Sequence, residues 1–477
     1  MSNQTWKLSD RPYTTELGEL DRELSSENLE NINADKSLAI KQPELLDFDP
    51  SSVTSDSQAI NLFSHRELAD NSLYAASSVE NGEPNEPEEA NPESETPMDG
   101  IPSEEIPEEV AEVPLTKTIT VGNPEATQFT FNFAEDTPQE VINGVAQAGE
   151  NWSEVLKDDV DLTFDFRFAP LATVGMPTIG QALPNFVTLP YEEVRAKLVD
   201  NATSPEDKTA ISNLPEGNVN YLVNNTSENN GSDTPYLDNN GGLNNSSISL
   251  TFANAKALGL SFEELAAEKG VSVEEYTNIL NAVYGTLVDP NPADAMPLFD
   301  SNTNWDFNPD DGITEGMEDF VATVTHEIGH GLGFVSNAEL LDSASTKDIG
   351  EILAQLDSEA QDLAVGDTGI DIDQFISENF YTPTSLDLFR FSPQSFEQGA
   401  RDFTTNNVEG KYFSIDGGNT NIAPLAEGFT GNLNLAGLGH WQDDQNIGLM
   451  DPTIDPALNQ ISSNDLLALD VVGWDLN

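Results

Sequence analysis

The chain has 477 residues, no cysteine, and 85 Asp plus Glu against 18 Lys plus Arg, for a formal net charge of −67. That length allows two or three domains. So acidic a composition lacks the clustered cations that hold nucleic-acid phosphates or an anionic membrane surface, and the missing cysteines exclude disulfides and thiol chemistry. No run of about twenty apolar residues predicts a membrane span. Residues 1–30 contain no apolar core of a Sec signal peptide. The charge suits a soluble protein in saline or calcium-rich surroundings.

Residues 1–114 read as an acidic disordered tail. No Lys or Arg occurs between Arg66 and Lys117, and 83–114 alternates glutamate with proline and small residues. Such a segment buries too little apolar surface to offset its ordering entropy. It is a solvated tail, a pro-segment or an export leader, and it contains His65.

Order is expected from Thr116 onward. Phe129, Phe131 and Phe133 alternate with polar residues as in a half-buried strand, and 162–168 repeats the pattern. Thr137 as N-cap, Pro138 at the first position and Glu140 predict a capped helix, with Val141, Val145, Ala148, Trp152 and Val155 on one face. A helix over 191–199 and a strand over 248–252 follow. The asparagine- and glycine-rich stretch 224–245 reads as a long surface loop. Ser261 with Glu264 and Ser272 with Glu275 predict a helical insert over 262–284. A strand over 295–299 precedes a helix over 316–332. Between them, Asp300, Asp306, Asp310 and Asp311 form an oxygen-rich loop that could hold Ca2+, although it reads more simply as a polar turn.

The helix over 316–332 carries His326-Glu327-Ile328-Gly329-His330. Residues four apart share a helix face, so both imidazoles can reach one ion. Zinc is the usual ion for such a pair, because neutral imidazole suits it and a tetrahedral site can keep one position open for water. Glu327, between the histidines, is the candidate general base. The motif uses two of only four histidines in the chain.

A catalytic zinc normally has three protein ligands. Ser336, six residues after His330, is a poor ligand. His65 lies in the tail, which leaves His440 as the best third donor; Glu351 and Glu359 are the alternatives if the site is of the glutamate type. Residues 337–439 would form an insertion, with a helix over 352–363 and a strand over 386–391. A closing helix, capped by Ser463 or Asn464, carries Leu466, Leu467, Leu469, Val471 and Val472.

His326, Glu327, His330, Gly333, His440, Met450 and the closing helix together resemble the leishmanolysin branch of the metzincin zinc peptidases. There a long insertion separates the second and third zinc histidines, and a methionine-containing turn follows. The resemblance spans 115–477 in organisation and is specific at these motifs. Ser336 departs from the short metzincin motif, and the absence of cysteine departs from the disulfide-rich leishmanolysins, which makes this a bacterial-type relative. The resemblance implies an α+β zincin fold with a twisted, mostly parallel sheet. It divides the chain into the tail 1–114, an upper subdomain 115–336 and a lower one 337–477, with Met450 beneath the zinc ligands.

The expected activity is hydrolysis of peptide bonds in a protein or peptide substrate. The chain is expected to be a monomer, with no nucleic-acid partner and no membrane insertion. It is expected outside the cell without a Sec signal, with a cytoplasmic location as the alternative. The rival functions are a binding protein with a relic zincin domain and a zinc hydrolase of non-peptide amides.

Overall fold

The computed structural model describes residues 74–77, 113–171, 178–225, 231–232, 234–273, 276, 293–309, 312–346, 382–405, 410–427, 439–443, 445–453 and 460–477. His65, Glu351, Glu359 and the helix expected over 352–363 lie outside them. The fold is mixed α/β. Among the described residues no helix is long and apolar enough to cross a membrane.

The main sheet is built from β1 (Tyr74–Ser77), β2 (Leu115–Gly122), β3 (Gln128–Ala134), β4 (Asp161–Asp165), β5 (Arg167–Ala169), β6 (Thr178–Pro184) and β7 (Ala295–Asp300). Its order is β1-β6-β7-β4-β3-β2, with β5 continuing beside β7. The centre is parallel, β3 on β4 and β4 and β5 on β7. The flanks are antiparallel: β2 on β3, β6 on β7 and β1 on β6. One strand therefore comes from the stretch expected to be a free tail.

The alternation of β3 holds. Phe129, Phe131 and Phe133 are fully buried on one face, and Leu162 and Phe164 of β4 continue the layer. Burying each phenylalanine is worth about 1.5–3 kcal/mol, which fixes the register because a slip of one residue would expose all three. The helix α1 (Gln139–Ser153) lays Val141, Val145, Ala148 and Trp152 into this core. It starts at Gln139, with Pro138 as N-cap and no side-chain cap bond, in place of the Thr137 cap. Thr137 is instead buried, and its carbonyl accepts from Lys117 Nζ at 3.3 Å.

Other expectations are corrected. The stretch 224–245 is not simply a surface loop: Tyr236–Asp238 pairs with Tyr221–Val223, Leu243–Ser246 is helical, and Asn224, Asn244 and Asn245 are buried. Asn245 Nδ2 donates to Val219 O at 2.9 Å and Asn244 Nδ2 to Asp238 at 3.2 Å, so these amides brace backbone and side chains. The capping box of Ser261 with Glu264 is present and opens the helix Phe262–Lys269, which ends where Gly270 takes a left-handed conformation; residues 274, 275 and 277–284 of the expected insert lie outside the described residues. Of the strand expected over 386–391, Leu386–Phe389 is a 3₁₀ turn with all four residues buried, and only Arg390–Phe391 is a strand, antiparallel to Tyr412–Phe413. The polar-turn reading of the oxygen-rich loop is kept: Asp300 accepts from Leu171 N and Asn302 N, and Asp306 from Asn308 N and Thr314 N, while Asp310 and Asp311 lie outside the described residues.

The C-terminus zips back onto the end of α1. Lys157 N donates to Asp475 O and Asn477 N to Val155 O, each at 2.9 Å. Asp475 N donates to Asp158 Oδ2 at 2.9 Å. Burial pushes the Asp158 carboxyl up to about 7, against the opposing pull of the Asp475 N–H. The folded chain thus holds a proton at Asp158 that the unfolded chain releases near pH 4, so the contribution of this group to stability falls as pH rises from about 4 to about 7. Asp158→Asn keeps an acceptor for Asp475 N and stays neutral. Thermal unfolding should show it raising Tm more at pH 8 than at pH 5; an equal shift at both would refute the assignment.

Candidate metal centre

The helix α2 (Phe320–Leu332) is buried along its whole length between α1 and the sheet. It starts four residues later than the predicted 316, because Glu318–Asp319 pairs with Trp305–Asp306. The Asp319 carboxylate caps it, accepting from Ala322 N at 3.0 Å. Phe320 and Val324 point into the core as expected. Two tryptophans anchor the helix: Trp152 Nε1 donates to Thr325 O and Trp474 Nε1 to Leu332 O, each at 2.8 Å. The helix ends at Gly333, whose φ of 119° is unfavourable for any side chain. The reversal there carries Phe334 O back toward the helix.

His326, His330 and His440 meet in this core, each fully buried. Their Nε2 atoms lie 3.1 Å (326 to 330), 3.3 Å (326 to 440) and 3.2 Å (330 to 440) apart. The sequence separation from His330 to His440 is thus closed, and the three donors converge on one point. No other group of three or more His, Asp or Glu side chains with such convergence is found among the described residues.

The tautomers follow from backbone partners. His326 Nδ1 lies 2.7 Å from Leu449 O, and His330 Nδ1 lies 2.7 Å from Phe334 O. A carbonyl can only accept, so both Nδ1 atoms carry the proton and both Nε2 atoms present lone pairs. Burial depresses the His326 imidazole to about 4, partly opposed by the Leu449 carbonyl. Burial, with the neighbouring imidazoles, pushes His330 down further. Both rings are therefore neutral at neutral pH, with lone pairs facing each other at 3.1 Å. A cation between them satisfies this arrangement. Zn–N bonds of about 2.0–2.1 Å at tetrahedral angles place ligand nitrogens roughly 3.3–3.4 Å apart, close to the spacing seen. The residues fit a divalent metal of the imidazole-binding class.

The third histidine and the turn after it are held by Asp465. This residue belongs to the closing helix α3 (Ser463–Val471), whose cap is Ser462 paired with Asp465, not Ser463 or Asn464. Asp465 accepts from Trp441 Nε1 at 2.7 Å, Leu449 N at 2.8 Å and Met450 N at 3.3 Å. Its burial raises its carboxyl, while these bonds oppose the rise. Trp441 N in turn donates to Met450 O at 3.0 Å. Met450 is fully buried and lies against α2 at Gly329, where a Cβ would fall 2.5 Å from its Sδ.

Glu327 is fully buried. Its Oε1 lies 3.2 Å from where a Cβ on Gly180 of β6 would stand, so the carboxyl is set under the antiparallel strand β6. Ser336 is no ligand: its hydroxyl donates to Asp387 Oδ1, and Asp387 Oδ2 also accepts from Asn337 N and Thr384 N. The sequence reading missed Leu449 O, Phe334 O, Asp465 and Asp387. Ser462-Ser463-Asn464-Asp465 does carry a capping-box signal, which would have pointed to Asp465.

His440→Ala removes one of three converging donors and leaves the helix caps and the sheet intact. Zinc affinity, measured by competition with a chromogenic chelator, should fall by at least about 100-fold while the far-ultraviolet circular dichroism stays native. Retained affinity would remove His440 from the centre. No family model, no curated protein and no solved structure matches this chain, so the functional reading rests on the geometry of the centre itself.

Proposed function

We propose that this chain is a zinc-dependent endopeptidase of the metzincin type, similar in its motif order to the leishmanolysin branch. The observation that carries the reading is the convergence of three buried imidazole nitrogens, two of them with fixed tautomers, beside a buried glutamate. A purely structural site does not need Glu327. Supporting features are the left-handed exit at Gly333, the packing of Met450 on Gly329, and the antiparallel strand β6, whose Gly180 lies against Glu327.

An ion held there supplies Lewis acidity toward water and toward a carbonyl. His326, His330 and His440 would hold it, and burial keeps the His326 and His330 rings neutral, so these two ligands add no charge of their own. Glu327 lies in the helix turn between two ligands. It accepts a proton from the attacking water and delivers it to the leaving amine, a role worth about 10²–10⁴-fold in rate. The substrate is a protein or peptide, and the acidic, cysteine-free composition suits an extracellular setting.

Glu327→Ala should bind stoichiometric zinc by elemental analysis while hydrolysis of an unfolded protein substrate falls by at least about 10²-fold. Chelation should abolish activity in the parent chain. A variant that keeps most of its activity would remove Glu327 as general base.

A further inference from the structure

We propose that Arg390 is a positioning residue for the metal centre: through Ala426 it fixes the main chain of His440, and with its neighbour Asp387 it ties the third histidine to the end of the helix that carries the first two. The inference rests on the metal-binding part of the proposed function and not on the substrate. Arg390–Phe391 pairs antiparallel with Tyr412–Phe413, and Tyr412–Phe413 with Ala423–Pro424. The chain around His440 adds itself to the far side of this small sheet. Leu425 bridges to Trp441, Ala426 N donates to His440 O at 3.1 Å, and Gln442 N donates to Pro424 O at 3.0 Å. The carbonyl of the same Ala426 accepts from Arg390 Nη2, so the guanidinium reaches from the first strand to the residue that pairs with the ligand.

Arg390 is only 2 % exposed, which shields that bond from competing water. A charge-assisted hydrogen bond is roughly twice as strong as a neutral one. Burial lowers the guanidinium from the usual arginine range, and the charges of Asp387 and Asp402 oppose that fall. Asp387, three residues earlier, holds the chain just past α2, accepting from Ser336 Oγ, Asn337 N and Thr384 N. The stretch 387–390 therefore grips both the segment that follows His330 and the segment that pairs with His440. Asp465 holds the residue after His440, through Trp441 Nε1. Arg390 secures the main chain of His440 itself. Its Nε2 stands 3.2 Å and 3.3 Å from those of His330 and His326, so a small slide of this sheet would open the triad.

The test uses the full-length chain. Arg390→Met keeps the apolar stem and removes the donors, whereas Arg390→Lys keeps the charge and an ammonium donor. Zinc affinity is measured by chelator competition, and the visible absorption of Co2+ bound in place of zinc reports the geometry of the donors. Arg390→Met should lower zinc affinity about 10–100-fold and alter the cobalt spectrum, and Arg390→Lys should recover part of the loss. In a His440→Ala background Arg390→Met should cost no further affinity, because both changes act on one ligand. Full affinity with an unaltered cobalt spectrum in Arg390→Met would overturn the proposal. So would an equal loss with or without His440, which is what a general loss of stability produces. A second measurement needs no variant to fold. In the parent chain stripped of metal by a chelator, the amides of Ala426 and Gln442 should still exchange slowly, since the clamp does not depend on the ion; exchange as fast as in an unstructured chain would refute it. The expected affinity losses in a chain that hydrolyses no peptide would support the clamp and remove only the peptidase reading.

Discussion

Two neutral imidazoles whose lone pairs face each other across 3.1 Å, inside a buried core, are an arrangement that folding does not produce by hydrophobic packing alone. Each ring has to be aimed, and here the aiming is done by main-chain carbonyls, Leu449 O on His326 and Phe334 O on His330. Two local devices put those oxygens in place. Phe334 O is returned to the helix by the left-handed Gly333. Leu449 O belongs to a turn closed by Asp451 N donating to Gly448 O and pinned by the Asp465 carboxylate. Because Asp465 also holds Trp441, one carboxylate on the closing helix sets both the His440 segment and the partner of His326. The last element of the chain thus determines the geometry of a motif more than a hundred positions earlier.

The same use of buried carboxylates recurs. Asp342 receives Asn224 and Thr405, and Asp387 receives Ser336, Asn337 and Thr384. Both carboxyls are raised by burial and drawn back by their hydrogen bonds. In a chain with 85 acidic residues and no disulfides, acceptor-rich side chains replace cross-links as the means of fastening loops to the core. The cost is desolvation, offset by four N–H or O–H donors at each of these two carboxylates.

How much of this was legible in the sequence varied with the range of the interaction. The 326–330 spacing is local and was plain, as was the alternation of Phe129, Phe131 and Phe133. His440 could be reached only because the chain has so few histidines. The carbonyls of Leu449 and Phe334 leave no signature, since every residue has one. The run Leu386 to Phe391 alternates in sequence, yet its first four residues form a 3₁₀ turn and only Arg390–Phe391 is a strand, because Asp387 folds inward to collect donors from 336, 337 and 384. Asn224, Asn244 and Asn245 looked like solvent-facing loop residues and are instead buried braces. In both cases a polar side chain found partners far away in sequence, and composition alone assigned it to water.

The joining of position 330 to position 440 has a topological meaning beyond chemistry. An ion bound by His326, His330 and His440 would close a chain loop longer than a hundred residues, as a disulfide does in an oxidised protein. On the chain-entropy estimate a closure of that length is worth about 4–5 kcal/mol of unfolded-state entropy. A cysteine-free protein would then carry a reversible staple, one that is set by the availability of a metal and not by redox potential. Its folded lifetime would follow the free-metal concentration of its surroundings, so that loss of the ion would loosen the lower half of the chain as well as silence the site.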